Sequence, residues 1–323
     1  MNEGDISLKR CTVIFNPKAG RGAYRRRLPD LRQSLRDVDL QASIYIVEDQ
    51  HAIDREIEEH IGETDVIVAA GGDGTVNAVA RSLLRYEDRP PLGIIPLGTG
   101  NDFRRSIGVP SRVTKAISVL QSGVVCEIDV GQVSWLEKDG GAEKQHLFVN
   151  ALGFGIEAVV ADQVHAAGYQ SWMKSYLVTA LRAIKSWHSL DVAVQAIDEN
   201  EQPRGIFDGR MFAGTVSNGI SSGGGFRISP EALVNDHLLD LFLLPEHSVT
   251  RILRMLPWIA LGKHGYFPGV VLQQAREYMI ESREGLCVHA DGEVLTHRAS
   301  KISIALHPSR LAVICDKSGR YVH

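Results

Sequence analysis

Three times before residue 103, a short apolar run ends in a loop of Gly, Pro or Asn, and a stretch with helical spacing follows. That recurrence restricts the N-terminal part of the chain to alternating α/β architecture. Thr12–Phe15 reads as a strand, Asn16–Gly22 as a loop, and Ala23–Arg36 as a helix with Leu28, Leu31 and Leu35 on one stripe. Ile44–Val47 is a second strand, followed by a charged helix over Ile53–His60. Asp65–Ala70 is a third, running into Gly71–Gly74 and then a helix over Thr75–Leu84. Leu92–Ile95 enters Pro96-Leu97-Gly98-Thr99-Gly100-Asn101-Asp102, with another helix opening near Asp102.

Past Val124 the pattern changes to short alternating runs separated by Gly, Asn, Asp and Pro, which indicates antiparallel β structure. Expected strands include Cys126–Val133, Leu147–Ala151, Asp191–Ile197, Met211–Ser217, Leu238–Leu244, Tyr278–Glu281, Leu286–His289, Ile302–Leu306 and Leu311–Cys315. Helices are expected over Trp172–Ile184 and about Val249–Leu261. The length of 323 residues, 44% of them hydrophobic, supports two domains with large cores. The boundary is placed at 124/125.

A strand that ends in glycines and opens a helix aims backbone N–H groups outward at the positive end of the helix dipole, where phosphate oxygens are good acceptors. Asn16-Pro17-Lys18-Ala19-Gly20, Gly71-Gly72-Asp73-Gly74-Thr75 and Pro96 to Asp102 each follow a candidate strand, and a parallel sheet would gather all three at its carboxyl edge. Neither GxxxxGK[ST] nor GxGxxG with a following acidic residue is present. Asp73 between two glycines would repel a bare pyrophosphate, so a Mg²⁺ ion or ordered water is expected between them, and metal-assisted phosphoryl transfer fits.

At these residues the sequence resembles the diacylglycerol kinase catalytic-domain superfamily, specifically its soluble bacterial lipid kinase branch, with sphingosine kinases and NAD kinases as more distant relatives. The resemblance rests on Phe15 to Gly20, on Gly71 to Thr75 with Asn77, and on Pro96 to Phe103. Asn150 to Gly155, Asn235 to Asp240 and Asp291-Gly292-Glu293 add to it, so that it spans nearly the full length. It implies an N-terminal α/β nucleotide-binding domain (1–124, with the tail near 308–323 returning to it) and a larger β-rich, sandwich-like lipid-substrate domain (125–307), with the active site in the cleft between them.

By the same resemblance, Asn16, Pro17, Lys18, Ala19, Gly20, Gly71, Gly72, Asp73, Gly74, Thr75, Asn77 and Thr99 hold ATP, and Asp73 organises a catalytic Mg²⁺. Glu293 is expected to take the proton from the lipid hydroxyl, with Asp73 as the alternative base. A structural Mg²⁺ is expected at Leu233, Asp236 and Leu238, where His237 replaces the family's usual glycine. From the residues alone, Asp291-Gly292 reads equally as a hairpin turn. The implied reaction is ATP-dependent phosphorylation of a lipid hydroxyl, with diacylglycerol as the leading acceptor and a homodimer allowed.

Lys plus Arg total 35 against 39 Asp plus Glu, a net charge of −4 that gives no overall argument for nucleic acid, and none is expected as a partner. Lys18, Arg21, Arg25, Arg26 and Arg27 form a local basic cluster and Arg104-Arg105 another, each read either as a solvated face or as an anion-attracting one. Trp172–Trp187 reads either as a core helix or as an interfacial one. The four cysteines lie in no metal or disulfide pattern, and no apolar leader or long apolar span appears, so a cytoplasmic protein visiting the membrane surface transiently is expected. No HExxH or GxSxG pattern supports hydrolysis. An NAD kinase, and a non-catalytic nucleotide-binding regulator on the same scaffold, are the competing readings.

Overall fold

The computed structural model describes residues 9–19, 24–38, 40–160, 183–184, 187–197, 202–317 and 319. The helix expected over Trp172–Ile184 lies outside them except for its last two residues, as do Gly20 and Arg21. The chain divides into two compact units, 1–129 with 309–323, and 130–308.

In the first unit the apolar runs become β1 (Arg10–Phe15), β2 (Gln41–Ile46), β3 (Val66–Gly71) and β4 (Leu92–Pro96), all in parallel register. Every residue of β3 and β4 is buried, as expected where helices cover both faces of a parallel sheet. Helices α1 (Tyr24–Arg36), α2 (Gln50–His60), α3 (Asp73–Leu83), α4 (Phe103–Ser106) and α5 (Val113–Ser122) complete the layers. Asp49 caps α2 by accepting from the Ala52 N–H, an N-cap that sets the start three residues ahead of the apolar stripe.

The strand expected over Cys126–Val133 is two strands in two sheets. β5 (Val124–Ile128) is antiparallel to β15 (Leu311–Cys315) in the first sheet, and β6 (Gly131–Glu137) belongs to the second. Alternation continued across the break, so periodicity could not show it. Buried Asp129 at the break pairs with Arg310 at 3.0 Å, tying it to the residue that precedes β15. The first sheet therefore runs β2-β1-β3-β4-β15-β5.

The second unit is a nine-stranded antiparallel sheet. β6 is joined by β7 (Lys144–Phe148), β8 (Ala151–Gly155), β9 (Leu190–Ile197), β10 (Pro203–Ser217), β11 (Leu239–Pro245), β12 (Val271–Ala275), β13 (Glu277–Ala290) and β14 (Glu293–Leu306). The long strands β10 and β13 pair with β9 over one half of their length and with β8 over the other, which makes the sheet curl on itself in sandwich fashion. Val194, Tyr278, Ile280, Val288 and Ile302 fill the inside of that curl. On another face, α6 (Val249–Ala260) buries Ile252, Met255 and Ile259 against Phe212, Phe242 and Leu244. No helix among the described residues is long and apolar enough to cross a membrane.

Candidate active site

Parallel pairing of β1, β3 and β4 places the three glycine-bearing loops at one edge of the first sheet, the carboxyl edge. Strand order reverses direction at β1 and β3, the topological switch point where open α/β sheets bind ligands. The loops brace each other. Asn16 donates its backbone N–H to the Ala70 carbonyl (3.1 Å) and its side-chain Nδ2 to Thr75 Oγ1 (3.0 Å), while its Oδ1 accepts from the Lys18 N–H (2.9 Å). The Leu97 and Gly98 N–H groups both donate to the Gly71 carbonyl, at 2.8 and 3.0 Å.

Close approach within and between the loops leaves no room for a Cβ at two of these glycines. A Cβ on Gly71 would lie 2.3 Å from Thr75 Oγ1, and one on Gly98 would lie 2.4 Å from the Gly72 Cα. Because the obstacle at Gly98 is main chain, which cannot rotate away, Gly98→Ala is expected to cost about 1–3 kcal/mol as an overpacked contact. A urea unfolding midpoint equal to that of the wild type would show that the loops are not in contact.

Asp73 is the first residue of α3, and its Oδ1 accepts from the Phe103 N–H at 3.1 Å, which links the second loop to the third. Thr75 and Asn77 are buried on the next turn, and Asn77 Oδ1 has no hydrogen-bond partner among the described residues. Thr99 and Gly74 are exposed, while Asn101 takes φ +47° and returns its Nδ2 to the Gly98 carbonyl (2.7 Å). The two arginines after the third loop turn inward. Arg105 donates to the Gly100 and Asn101 carbonyls and pairs with buried Asp102 at 2.5 Å, and Arg104 donates to Val109 O. Burial, and then repulsion from Arg105, lower the Arg104 pKa against the opposing pull of Asp73 and Asp102. Lys18 stays exposed beside Glu48 at 3.4 Å, a pair of little energetic weight.

In the second unit, Asp291 and Gly292 form the two-residue loop between β13 and β14, closed by the pair Ala290↔Glu293. Their φ values of +49° and +87° are those of a primed hairpin turn, for which Asp-Gly is the favoured sequence. The Asp291 carboxylate is enclosed and accepts three backbone N–H groups, from Val149 (2.8 Å), Asn150 (3.1 Å) and Ala151 (2.8 Å). Burial pushes its pKa up to about 6, with those three hydrogen bonds opposing the rise. Glu293, next along the hairpin, has a half-exposed side chain with His146 Nε2 at 3.8 Å from its Oε2.

Beneath this turn lies a polar cluster that the sequence motifs did not single out. His289 Nδ1 accepts from the Gly292 N–H at 3.4 Å, and its Nε2 lies 3.8 Å from Glu157 Oε1. Thr215 and Ser222 (3.2 Å) donate hydroxyls to the same carboxylate. Burial works to raise the Glu157 pKa, but His289 and the two hydroxyls outweigh it and hold the carboxyl below its ordinary value. Gly153, opposite His289 in the sheet, leaves the space for the imidazole, since a Cβ there would sit 2.3 Å from Nε2. The one sequence signal for this cluster was Gly153 itself, inside Asn150 to Gly155.

In the loop from Leu233 to Leu238, Asp236 Oδ1 accepts from the Leu238 N–H at 3.1 Å, and His237 adopts φ +63°. The left-handed position is thus kept without glycine. Nearby Asp240 is raised to about 7, first by burial and then, against a Gln274 hydrogen bond, by the charges of Asp236 and Glu231. Three carboxylates in mutual repulsion, one with a buried Oδ2 lacking a partner among the described residues, fit a divalent cation. A separate trio, Glu56, Glu59 and His60 on α2, lies on the helix surface, with His60 already bonded to Tyr45 Oη at 2.7 Å.

Residues 10–133 match the family model described as the diacylglycerol kinase catalytic domain, and residues 150–315 match that of the YegS C-terminal NAD kinase beta sandwich-like domain. The diacylglycerol kinase of Bacillus subtilis is 27% identical over 300 residues, covering 88% of this chain and 90% of its own. A crystal structure of a diacylglycerol kinase from Bacillus anthracis superimposes with a TM-score of 0.71 at 22% identity, covering 97% of this chain and 99% of that one. Yeast NADH kinase complexed with NADH shares the fold at a TM-score of 0.54 and 11% identity, over 96% of this chain and 84% of that one. The glycine loops of the first unit fall inside one of these matches and the Asp-Gly-Glu hairpin of the second inside the other, and the chain belongs to the diacylglycerol kinase catalytic-domain superfamily, with a YegS-type C-terminal domain.

Proposed function

We propose that the protein is an ATP-dependent lipid kinase that transfers the γ-phosphoryl group of ATP to a lipid hydroxyl, with diacylglycerol as the leading acceptor. The observation that carries this reading is the bracing of three backbone loops at the switch point of a parallel sheet, with Asp73 fixed at the N-terminus of α3. In this reading the N–H groups of the Asn16 to Gly20 and Gly71 to Asn77 loops hold the phosphates, and Thr99 contacts the nucleotide from the third loop. Asp73 holds Mg²⁺, which when bound neutralises charge developing on the transferred phosphoryl. Glu293 accepts the proton of the attacking hydroxyl. Relatives named diacylglycerol kinase over most of the chain favour the lipid acceptor.

Transfer to a nicotinamide dinucleotide is the second reading, favoured by the fold shared with yeast NADH kinase. The deciding experiment offers ATP·Mg²⁺ with labelled γ-phosphate to a lipid panel in mixed micelles, with NAD in a parallel reaction. Labelled lipid supports the proposal. Labelled NAD, or ATP binding with no labelled product, overturns it.

The Asp236 loop is assigned a structural Mg²⁺, held by that carboxylate with the neighbouring main chain at Leu233 and Leu238. Asp240's folded pKa is raised above its ordinary 3.8, so without metal its contribution to stability is greatest at low pH and falls as pH rises toward about 7. Mg²⁺ is therefore expected to stabilise most above about pH 7. At 100-fold over its dissociation constant it contributes about 2.7 kcal/mol, or roughly 5–11 °C in Tm for a unit of this size. Thermal melts of wild type and Asp236→Asn with Mg²⁺ or EDTA check this, and an equal Mg²⁺ response in both proteins sinks the assignment.

A further inference from the structure

α6 ends in a Schellman turn: the Gly262 N–H donates to Ile259 O (3.0 Å), the Lys263 N–H donates to Trp258 O (2.8 Å), and Gly262 takes φ +70°. That left-handed step sends the chain back beside the helix end into a short 3-10 turn, His264–Tyr266. Trp258 meets Phe267 edge-on at 5.9 Å between ring centroids, and Leu272 on β12 reaches to within 3.1 Å of where a Gly265 Cβ would stand. The turn thus assembles one surface from three elements of the second unit.

Its composition is unusual for a surface in contact with water. Trp258, Leu261, Tyr266 and Leu272 are 44%, 62%, 85% and 46% exposed, and among the described residues the only other large hydrophobic as exposed is Ile46. Isolated exposed apolar residues need no explanation, but a contiguous group does. The sequence from His247 to Arg276 holds no Asp or Glu and includes Arg251, Arg254, Lys263 and Arg276, in a protein whose net charge is −4. Arg254, one turn before Trp258 on the helix, and Lys263, just past its end, are both exposed. An aromatic and aliphatic tip flanked by cations matches the interface of a bilayer, where Trp and Tyr sit at headgroup depth and Lys and Arg meet lipid phosphates.

We infer that the end of α6, the 264–266 turn and Leu272 of β12 form the docking surface that seats the second unit on a bilayer containing anionic phospholipid. The choice of a bilayer as occupant rests on the lipid-kinase reading together with this charge complementarity. Docking of this kind is reversible, because four partly inserted side chains and a few cations fall far short of a spanning helix.

The test is co-sedimentation of the full chain with phosphatidylcholine vesicles, with and without phosphatidylglycerol. Wild type should pellet with phosphatidylglycerol and be released by salt. Trp258→Ser/Tyr266→Ser and Arg254→Glu/Lys263→Glu should each weaken partition by about tenfold or more with unchanged melting temperature. Wild type that stays in the supernatant, or variants that pellet like wild type, overturns the inference. So does sedimentation velocity showing that wild type self-associates through the patch and the Trp258/Tyr266 variant does not, since the occupant is then a second copy. Transfer to a short-chain, water-dispersed diacylglycerol, measured alongside, separates the two readings. Activity there in proteins that fail to dock leaves the kinase reading standing, whereas vesicle binding with no transfer to any lipid removes the kinase reading alone.

Discussion

Glu293→Gln is expected to lower kcat for phosphoryl transfer to lipid by about 100-fold or more, while leaving ATP affinity and melting temperature near wild type. The magnitude is that of a removed general base. Its separation from stability follows from the hairpin. The Glu293 side chain is half exposed, with His146 Nε2 at 3.8 Å, and its backbone pairing with Ala290 does not depend on the carboxylate. Single-turnover transfer of labelled phosphate, with melts of both proteins, checks the expectation. Asp73→Asn in the same assay distinguishes the two candidate bases: if Glu293→Gln retains more than about a tenth of wild-type transfer and Asp73→Asn does not, the base assignment moves to Asp73.

The opposite pattern is expected two residues earlier. Asp291→Ala should destabilise the second unit by at least about 3 kcal/mol, because it leaves the Val149, Asn150 and Ala151 N–H groups buried with no acceptor, each at about 1–3 kcal/mol. That corresponds to a drop of roughly 6–12 °C in Tm. The pH dependence carries a sign. The folded pKa of Asp291, about 6, lies above its ordinary 3.8, so its share of stability is fullest below about 4 and declines as pH rises toward 6. The gap between wild type and Asp291→Ala should therefore be wider at about pH 4 than at about pH 7. Denaturant melts across that range test it, and a gap that widens as pH rises contradicts the burial of this group. One short motif thus pairs the proposed base, Glu293, with a residue whose carboxylate anchors the turn, Asp291.

The first sheet was legible because parallel buried strands leave continuous apolar runs, Val66 to Ala70 above all, and because a glycine-bearing loop follows three of the four runs. The contact between Gly72 and Gly98 was not legible, since it depends on strand order, and so the structural reason for glycine at 98 appears only in three dimensions. Asp291-Gly292 was open between turn and active site on sequence grounds, and the positive φ values establish the turn. Glu157, His289 and the pair Thr215 and Ser222 come together from three separated stretches of the chain, and no spacing rule reaches across such separations. Arg104 and Arg105 read on sequence as a solvated or an anion-attracting face, yet both turn to main-chain carbonyls, Arg105 to Gly100 and Asn101 of the third loop and Arg104 to Val109 beyond it.

The insertion of β15 between β4 and β5 also bears on how the protein is made. Until residues 311–315 leave the ribosome, β5 has no strand to pair with, and β4, the strand feeding the third loop, is left as an open edge beside β3. An exposed apolar edge of this kind recruits other chains, and synthesis proceeds at about 5–20 residues per second, so the growing first unit stays vulnerable while the whole second unit is being translated. Closing the sheet with residues 311–315 ties completion of the loop-bearing edge to synthesis of the whole second unit, and a product released before those residues would be aggregation-prone.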